Sequence, residues 1–220
     1  MKNLTLVIPA KSEEASLPSV LNELKNYDCS IFVVLEETDI ATIESIKNFN
    51  CKIIFQDKEG YGNAIINGIN KVETDYLCIF NADGSFDQKY LKEMLNICSN
   101  NNDFVFSSRY LKGAGSEDDT IVTKFGNFFF SLLGRILFSL KLSDILYTYI
   151  LGKTYFFKSL KLKSNDFCLC AEIPINVKKM EASYVDFPSY ERKRIAGKKK
   201  VNEFRDGFKI LVYMIRRFLI

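Results

Sequence analysis

Five short apolar runs punctuate the first half of the chain, the first four each followed by a stretch that reads as a helix. The runs are Leu4–Ile8, Ser30–Leu35, Lys52–Gln56, Tyr76–Phe80 and Phe104–Ser107. Between them lie predicted helices from Ser12 and Pro18 to Asn26, then Ala41–Phe49, Tyr61–Val72 and Gln88–Ser99. In the last of these, Leu91, Met94, Leu95 and Cys98 share one face. Continuous apolar runs without alternation suit strands buried on both faces, and their alternation with helices predicts βαβ units around a mostly parallel sheet. The fold class is therefore α/β. No internal repeat or low-complexity linker interrupts it.

The second half changes character. Gly113–Asp119 is a polar, glycine-rich loop, and Phe125–Leu142 is crowded with Phe, Leu and Ile but interrupted by Gly134, Arg135 and Lys141. No uncharged apolar run reaches the about 18 residues that a spanning helix needs. The segment suits either a buried helix pair or a helix lying in a membrane interface with cations at its margin. Phe204–Ile220 is amphipathic, with Arg216 and Arg217 near its end, and invites the same two readings.

At 220 residues the chain makes one domain, or one domain with an appendage. The net charge of +3 says little, but Arg192, Lys193, Arg194, Lys198, Lys199 and Lys200 concentrate cations in one segment. That block suits a solvated face, a diphosphate clamp, an anionic membrane surface or nucleic acid. Nucleic acid is the poorest match, since no RNA-binding signature or aromatic array accompanies it. The six cysteines form no Cys-x-x-Cys pair and four lie in or beside apolar runs, which predicts free thiols and a cytoplasmic setting. The first residues enter a strand directly, which predicts no signal peptide. Histidine is absent altogether. That removes imidazole acid–base chemistry and His-containing metal sites, and leaves carboxylates, cations, backbone amides and metals.

The candidate chemistry sits just after the predicted strands, where open α/β sheets bind ligands. Asn81-Ala82-Asp83-Gly84-Ser85 follows the fourth run. It suits a Mg²⁺ or Mn²⁺ site centred on Asp83, with Asn81 and Ser85 as further oxygen donors, and equally an Asx-rich turn capping the next helix. Gly60 and Gly62 precede a helix, where backbone can approach a phosphate; an ordinary loop reads the same way. Glu13 and Glu14, and Glu36 with Glu37, stand after the first and second strands, placed to accept from a ribose or base or simply to favour a helix N-terminus. Arg109 follows the fifth strand. Glu172, in the apolar-rich segment Phe167–Val177, suits either a base of raised pKa or the partner of a Lys or Arg.

In this order and spacing the segments resemble family 2 glycosyltransferases of GT-A fold, most of all the group of dolichyl- and polyprenyl-phosphate sugar transferases. The resemblance runs over nearly the whole chain. Val7-Ile8-Pro9-Ala10 with Glu13 looks like the family's opening strand and nucleotide-contacting loop, and Gly60-Tyr61-Gly62 like its glycine-rich helix start. Asn81–Ser85 matches Asp-x-Asp-Gly-Ser except at its first residue, and Ser107–Tyr110 looks like Gly-Ser-Arg-Tyr. Gly113–Ser116, Asp118, Asp119 and Lys124 look like the acceptor-side loop and helix. Asp144, Tyr147, Tyr149, Glu172, Phe187–Glu191, Arg194 and Gly197 continue in register.

The resemblance implies inverting, metal-assisted transfer of a sugar from a nucleotide-diphosphate donor to a lipid-phosphate acceptor. Catalytic roles fall on Asp83, Arg109, Lys124 and Arg194. Donor contacts fall on Pro9, Ala10, Glu13, Glu36, Gly60, Gly62, Asn81, Ala82 and Lys198, and Mg²⁺ or Mn²⁺ on Asp83, Asn81 and Ser85. It further implies a GT-A domain over residues 1–190, a basic amphipathic extension over 191–220, and peripheral contact with the cytoplasmic membrane face, with a homo-oligomer allowed and no nucleic-acid partner. Three departures bear on activity: Asn81 lowers the charge on the metal, the acids after the second strand lack the small residues that follow them, and Thr148 stands where Gly is expected. They keep a non-turning nucleotide-sugar binder as the alternative. A nucleotidyltransferase fits less well, since Pro9–Glu14 lacks a glycine-rich basic loop.

Overall fold

A computed structural model describes residues 1–197 and 199–219. Its centre is a seven-stranded sheet. Strands β1 (Leu4–Pro9), β2 (Ser30–Leu35), β3 (Lys52–Phe55), β4 (Tyr76–Ile79), β5 (Phe104–Ser108), β7 (Ile150–Lys153) and β8 (Tyr184–Pro188) lie in the order β3-β2-β1-β4-β7-β5-β8. All neighbours are parallel except β7, which runs antiparallel to both β4 and β5. A two-stranded parallel ribbon joins β6 (Gly115–Ser116) to β9 (Tyr190–Glu191).

The pleat sends alternate side chains to opposite faces. Leu4, Leu6 and Ile8 of β1 pack with α1 (Leu17–Leu24), α2 (Ile40–Ile46) and α4 (Leu91–Asn100). Val7 faces the other way, towards α3 (Tyr61–Lys71) and α7 (Leu169–Lys179). The result is a three-layer sandwich in which the central strands are dry on both sides, as their unbroken apolar runs require.

The first helix starts at Leu17, not Ser12, because the loop before it is tied elsewhere. Ser12 adopts a left-handed φ of 53°, its N–H donates to Asp39 Oδ2 at 2.7 Å, and the Glu13 N–H donates to Thr42 Oγ1 at 3.0 Å. The apolar segment beyond residue 120 forms one helix, α5 (Ile121–Phe138), instead of a buried pair. It turns Asn127, Phe130, Ser131 and Gly134 inward and leaves Ile121, Phe125, Phe128 and Ile136 exposed. Among the described residues it is the one helix long and apolar enough to cross a membrane, with mean hydropathy 1.4. After α6 (Thr154–Ser159) and α7, the chain ends in α8 (Glu203–Leu219), which lies along α5. β9 is paired to β6, and Ile210 and Met214 of α8 enter the same core cluster as α3 and α7.

Candidate active site

A cavity of about 870 Å³ opens at the C-terminal edge of the parallel strands. Pro9 and Ala10 line it from the end of β1, Glu36 from the end of β2, and Asn81, Ala82 and Asp83 from the loop after β4. Gly60 contributes from the start of α3 and Arg109 from the end of β5. Glu13 and Arg194 complete the set. Ten predicted site residues therefore meet at one place, because every parallel strand ends on the same side of the sheet.

Asp83 is held on both oxygens. Its Oδ1 accepts from the Ser85 N–H at 3.0 Å, and its Oδ2 lies 3.3 Å from Arg194 Nη1. The loop it stands on is crossed by a basic strap, described over residues 192–197, 199 and 200. The Arg192 N–H donates to the Ser85 carbonyl and the Ile195 N–H to the Asp83 carbonyl, both at 2.8 Å. Arg194 also forks onto Asp118, at 2.7 and 3.2 Å, and Lys199 Nζ donates to the Asp118 carbonyl at 2.8 Å. Lys200 reaches to 3.7 Å from Glu13. Burial raises the Glu13 pKa, opposed by the Ser16 hydroxyl, which donates to it at 2.5 Å, and by Lys200. Lys198 lies outside the described residues.

Among the described residues no group of three or more acidic or cysteine side chains is placed to hold a metal ion. Ser85 is buried away from the cavity, its hydroxyl accepting from Asn81 Nδ2 at 3.3 Å. Asp83 is thus the one anionic ligand, and Asn81 offers at most a neutral oxygen. One carboxylate suits a Mg²⁺- or Mn²⁺-type ion whose other ligands are water and substrate phosphates, not an ion caged by protein alone.

Arg109 is more enclosed than a free phosphate receptor. Its guanidinium forks onto Asp144 at 2.7 and 3.0 Å and reaches Asp119 and Glu191, each at 3.2 Å. It stacks over Tyr147 at 4.4 Å. Burial opposes its charge, but Asp144 and Glu191 hold its pKa well above the ordinary value. Burial raises the Glu191 pKa, with Arg109 the largest opposing influence. Tyr110 donates to Asp119 at 2.6 Å and Ser116 to Glu191 at 2.5 Å, so the acids of this cluster are individually anchored. None of its long-range partners could be read from local spacing.

Two other expected residues do not reach the cavity. Lys124 is exposed in the first turn of α5 and does not line it. Gly62 packs instead against the 164–166 backbone, where an added Cβ would stand 2.7 Å from the Asp166 carbonyl. Glu172 makes no ion pair among the described residues. Its carboxylate accepts from the Lys163 N–H at 3.0 Å and the Ser164 N–H at 2.8 Å, pinning the loop that cradles Gly60 and Gly62. Residues given no site role from the sequence complete the wall: Tyr61 bonds Thr148 at 2.6 Å and stacks on Phe167 at 5.0 Å. Lys11 bridges Glu36 at 3.0 Å and Glu59 at 2.8 Å across the nucleotide-contacting edge expected from sequence. Beyond Arg109 the lining turns apolar, with Val122, Phe125, Phe130, Leu146 and Ile210.

A seven-stranded sheet with one antiparallel member, an Asn-Ala-Asp-Gly-Ser loop at its edge and a cleft lined by both charged and apolar residues defines a GT-A-type domain. Comparison with known proteins places it further. The model of the glycosyl transferase family 2 matches residues 5–162, and the chain belongs to that family. The dolichyl-phosphate hexose transferase of Haloferax volcanii is 24% identical over 144 residues, 64% of this chain and 62% of that one. An uncharacterized glycosyltransferase of Mycobacterium tuberculosis is 27% identical over 92 residues, 42% of each chain. The matches thus span less than two thirds of these relatives' length. Among solved structures, glucosyl-3-phosphoglycerate synthase of Mycobacterium tuberculosis, in complex with Mn²⁺, UDP and glucosyl-3-phosphoglycerate, superposes with a TM-score of 0.76 at 14% identity, over 99% of this chain and 80% of that one. Mannosyl-3-phosphoglycerate synthase of Rubrobacter xylanophilus gives 0.71 at 15%, over 98% and 73%. At such identities the likeness establishes the GT-A fold.

Proposed function

We propose that this chain transfers a sugar from a nucleotide-diphosphate donor to a phosphate-bearing acceptor, of which a polyprenyl phosphate is the best match. The observation that carries the reading is the mixed lining of the cavity: Glu13, Glu36, Gly60 and Asp83 with Arg194, Lys199 and Lys200 line it together with the apolar Phe125, Phe130 and Ile210. Support for the acceptor class comes from the name of the Haloferax relative and from the phosphate-bearing acceptors named for the two synthases.

An acceptor phosphate is already an anion at neutral pH. Its oxygen can form the new bond at the anomeric carbon as the bond to the donor diphosphate breaks, and no proton need move. That chemistry suits a chain without histidine. A Mg²⁺ or Mn²⁺ ion on Asp83 would supply charge neutralisation for the leaving diphosphate. The protein's own part is to position the donor between Pro9, Ala10 and Gly60 and to set Arg194, Lys199 and Lys200 beside the charge that develops. Arg109 holds the acceptor side together through its three acids instead of receiving the phosphate directly.

The alternative is a domain that binds the nucleotide-sugar without turnover, favoured by the amide at Asn81. Thermal shifts with UDP-, GDP-, CDP- and dTDP-sugars plus metal identify the donor, since a ligand specific to the folded state raises stability. Radiolabel transfer to a polyprenyl phosphate then decides. Asp83→Ala abolishes transfer, and Asn81→Asp keeps or raises it. A wild-type chain that binds a donor yet neither hydrolyses nor transfers it removes the enzyme reading.

A further inference from the structure

Twelve of the 17 large apolar residues exposed among the described residues lie on two adjacent helices, α5 and α8. On α5 they are Ile121, Val122, Phe125, Phe128, Phe129, Leu132 and Ile136, and on α8 Phe204, Phe208, Ile215, Phe218 and Leu219. At 3.6 residues per turn, each set falls on one outward stripe. The helices lie along each other, and Phe138 meets Phe218 edge-on at 6.2 Å near their C-terminal ends. The stripes are edged by exposed cations: Lys124 and Arg135 on α5, and Arg205, Lys209 and Arg216 on α8. Lys209 stands 3.6 Å from Asp166, and Arg205 3.2 Å from the buried Asp206. Phe125 and Phe204, 72% and 81% exposed, belong both to the stripes and to the cavity wall, so the cavity opens onto this face.

We infer that the outer face of α5 and α8 docks on an anionic bilayer, with the cavity mouth against the lipid. This deepens the acceptor reading above by naming the surface from which an acceptor arrives, while docking itself does not depend on turnover. A solvated face would not concentrate bare phenylalanines. Apolar stripes edged by Lys and Arg match the interfacial amphipathic helix, which buries its apolar face at the acyl boundary and sets its cations against lipid headgroups. A spanning role for α5 fails on packing: Asn127, Phe130, Ser131 and Gly134 are buried against the domain, so lipid cannot surround the helix.

The test is flotation of the full chain with phosphatidylcholine vesicles, with and without phosphatidylglycerol. The expected result is co-flotation with the anionic vesicles, weaker flotation with the neutral ones, and release at high salt. Phe128→Ser combined with Phe208→Ser, both outside the cavity, lowers partitioning by about ten-fold or more. Because both side chains are mostly exposed, the thermal melt stays unchanged. Arg135→Gln and Arg216→Gln each cost about five-fold on anionic vesicles only. Wild-type chain that stays with the soluble fraction on anionic vesicles overturns the inference. So does a dimer, seen by light scattering, that the paired Phe substitutions dissolve. A short-chain, water-soluble acceptor phosphate separates the two proposals. Transfer to it by a chain that does not float sinks docking alone, and flotation without any transfer supports docking while sinking the transferase reading.

Discussion

Replacing Arg109 with Met tests whether this residue is part of the framework. The guanidinium is 9% exposed and meets three carboxylates, Asp144, Asp119 and Glu191, at 2.7 to 3.2 Å. Removing one partner of a buried ion cluster costs about 3–5 kcal/mol, because the remaining charges stay buried without compensation. Taking about 4 kcal/mol, and a urea m-value of about 3 kcal/mol per M for a chain of this size, the unfolding midpoint falls by about 1.3 M. The loss depends on pH with a definite sign. Burial already holds the Glu191 pKa above its ordinary value, and Arg109 is the largest influence against that rise. Without Arg109 the folded-state pKa climbs further. Protonation then stabilises the variant fully below the unfolded value of about 4.3, and that stabilisation is lost as pH rises through the folded value. The penalty is therefore largest at neutral pH and smallest near pH 4. Urea melts across that range measure it, with Arg109→Lys falling between, since it keeps the charge but loses the fork. If Arg109→Met costs less than about 1 kcal/mol at neutral pH, well below the range for a broken buried pair, yet abolishes transfer, Arg109 is a free catalytic cation and the framework role is wrong.

Gly62→Ala places a methyl 2.7 Å from the Asp166 carbonyl, with backbone on both sides of the clash. Overpacking of about 1–3 kcal/mol lowers Tm by about 5 °C, and an unchanged melt would show that the 164–166 loop can retreat. Asp186 accepts from the Ser143 N–H at 2.7 Å, but its Oδ1 is buried without a partner, and burial raises its pKa. Its contribution to stability is present below about pH 3.9 and is lost as pH rises through the folded value. The stability of wild type relative to Asp186→Asn therefore falls between acid and neutral pH; urea melts showing a flat difference would refute the assignment.

The parallel half of the fold was legible because each buried strand is a continuous apolar run. β2 falls at Ser30–Leu35 as expected, and α3 begins at Tyr61 as expected. Readings failed where long-range contacts decide. β7, Ile150–Lys153, has no counterpart among the predicted strands, although Tyr147–Leu151 is rich in aromatic and β-branched residues; it lies between β4 and β5, antiparallel to both. α7 contains Pro174, which punctuates the sequence although burial of Ile173, Ile175 and Val177 sustains the helix. At the site, residues at strand ends converge because topology brings strand ends together. What stayed illegible was the pairing of charges: Arg109, Arg194 and Glu172 find their partners far along the chain or in backbone, which no spacing rule reveals.

The geometry also reconciles the strap with the amide at Asn81. An acid there would give a cation two carboxylates, whereas here Asp83 stands alone and is itself contacted by Arg194 at 3.3 Å. That contact is the weaker of the two Arg194 makes to acids. The fork onto Asp118, at 2.7 and 3.2 Å, anchors the guanidinium whether or not Asp83 is engaged. A cation or diphosphate arriving at Asp83 therefore displaces one long contact while the strap stays fastened, by Asp118 on one side and by the Ser85 and Asp83 carbonyls on the other. Positive charge remains over the site in either state. On the proposed reading, a single carboxylate below three cations from the strap is a coherent way to hold a diphosphate, and an amide at Asn81 leaves that arrangement intact.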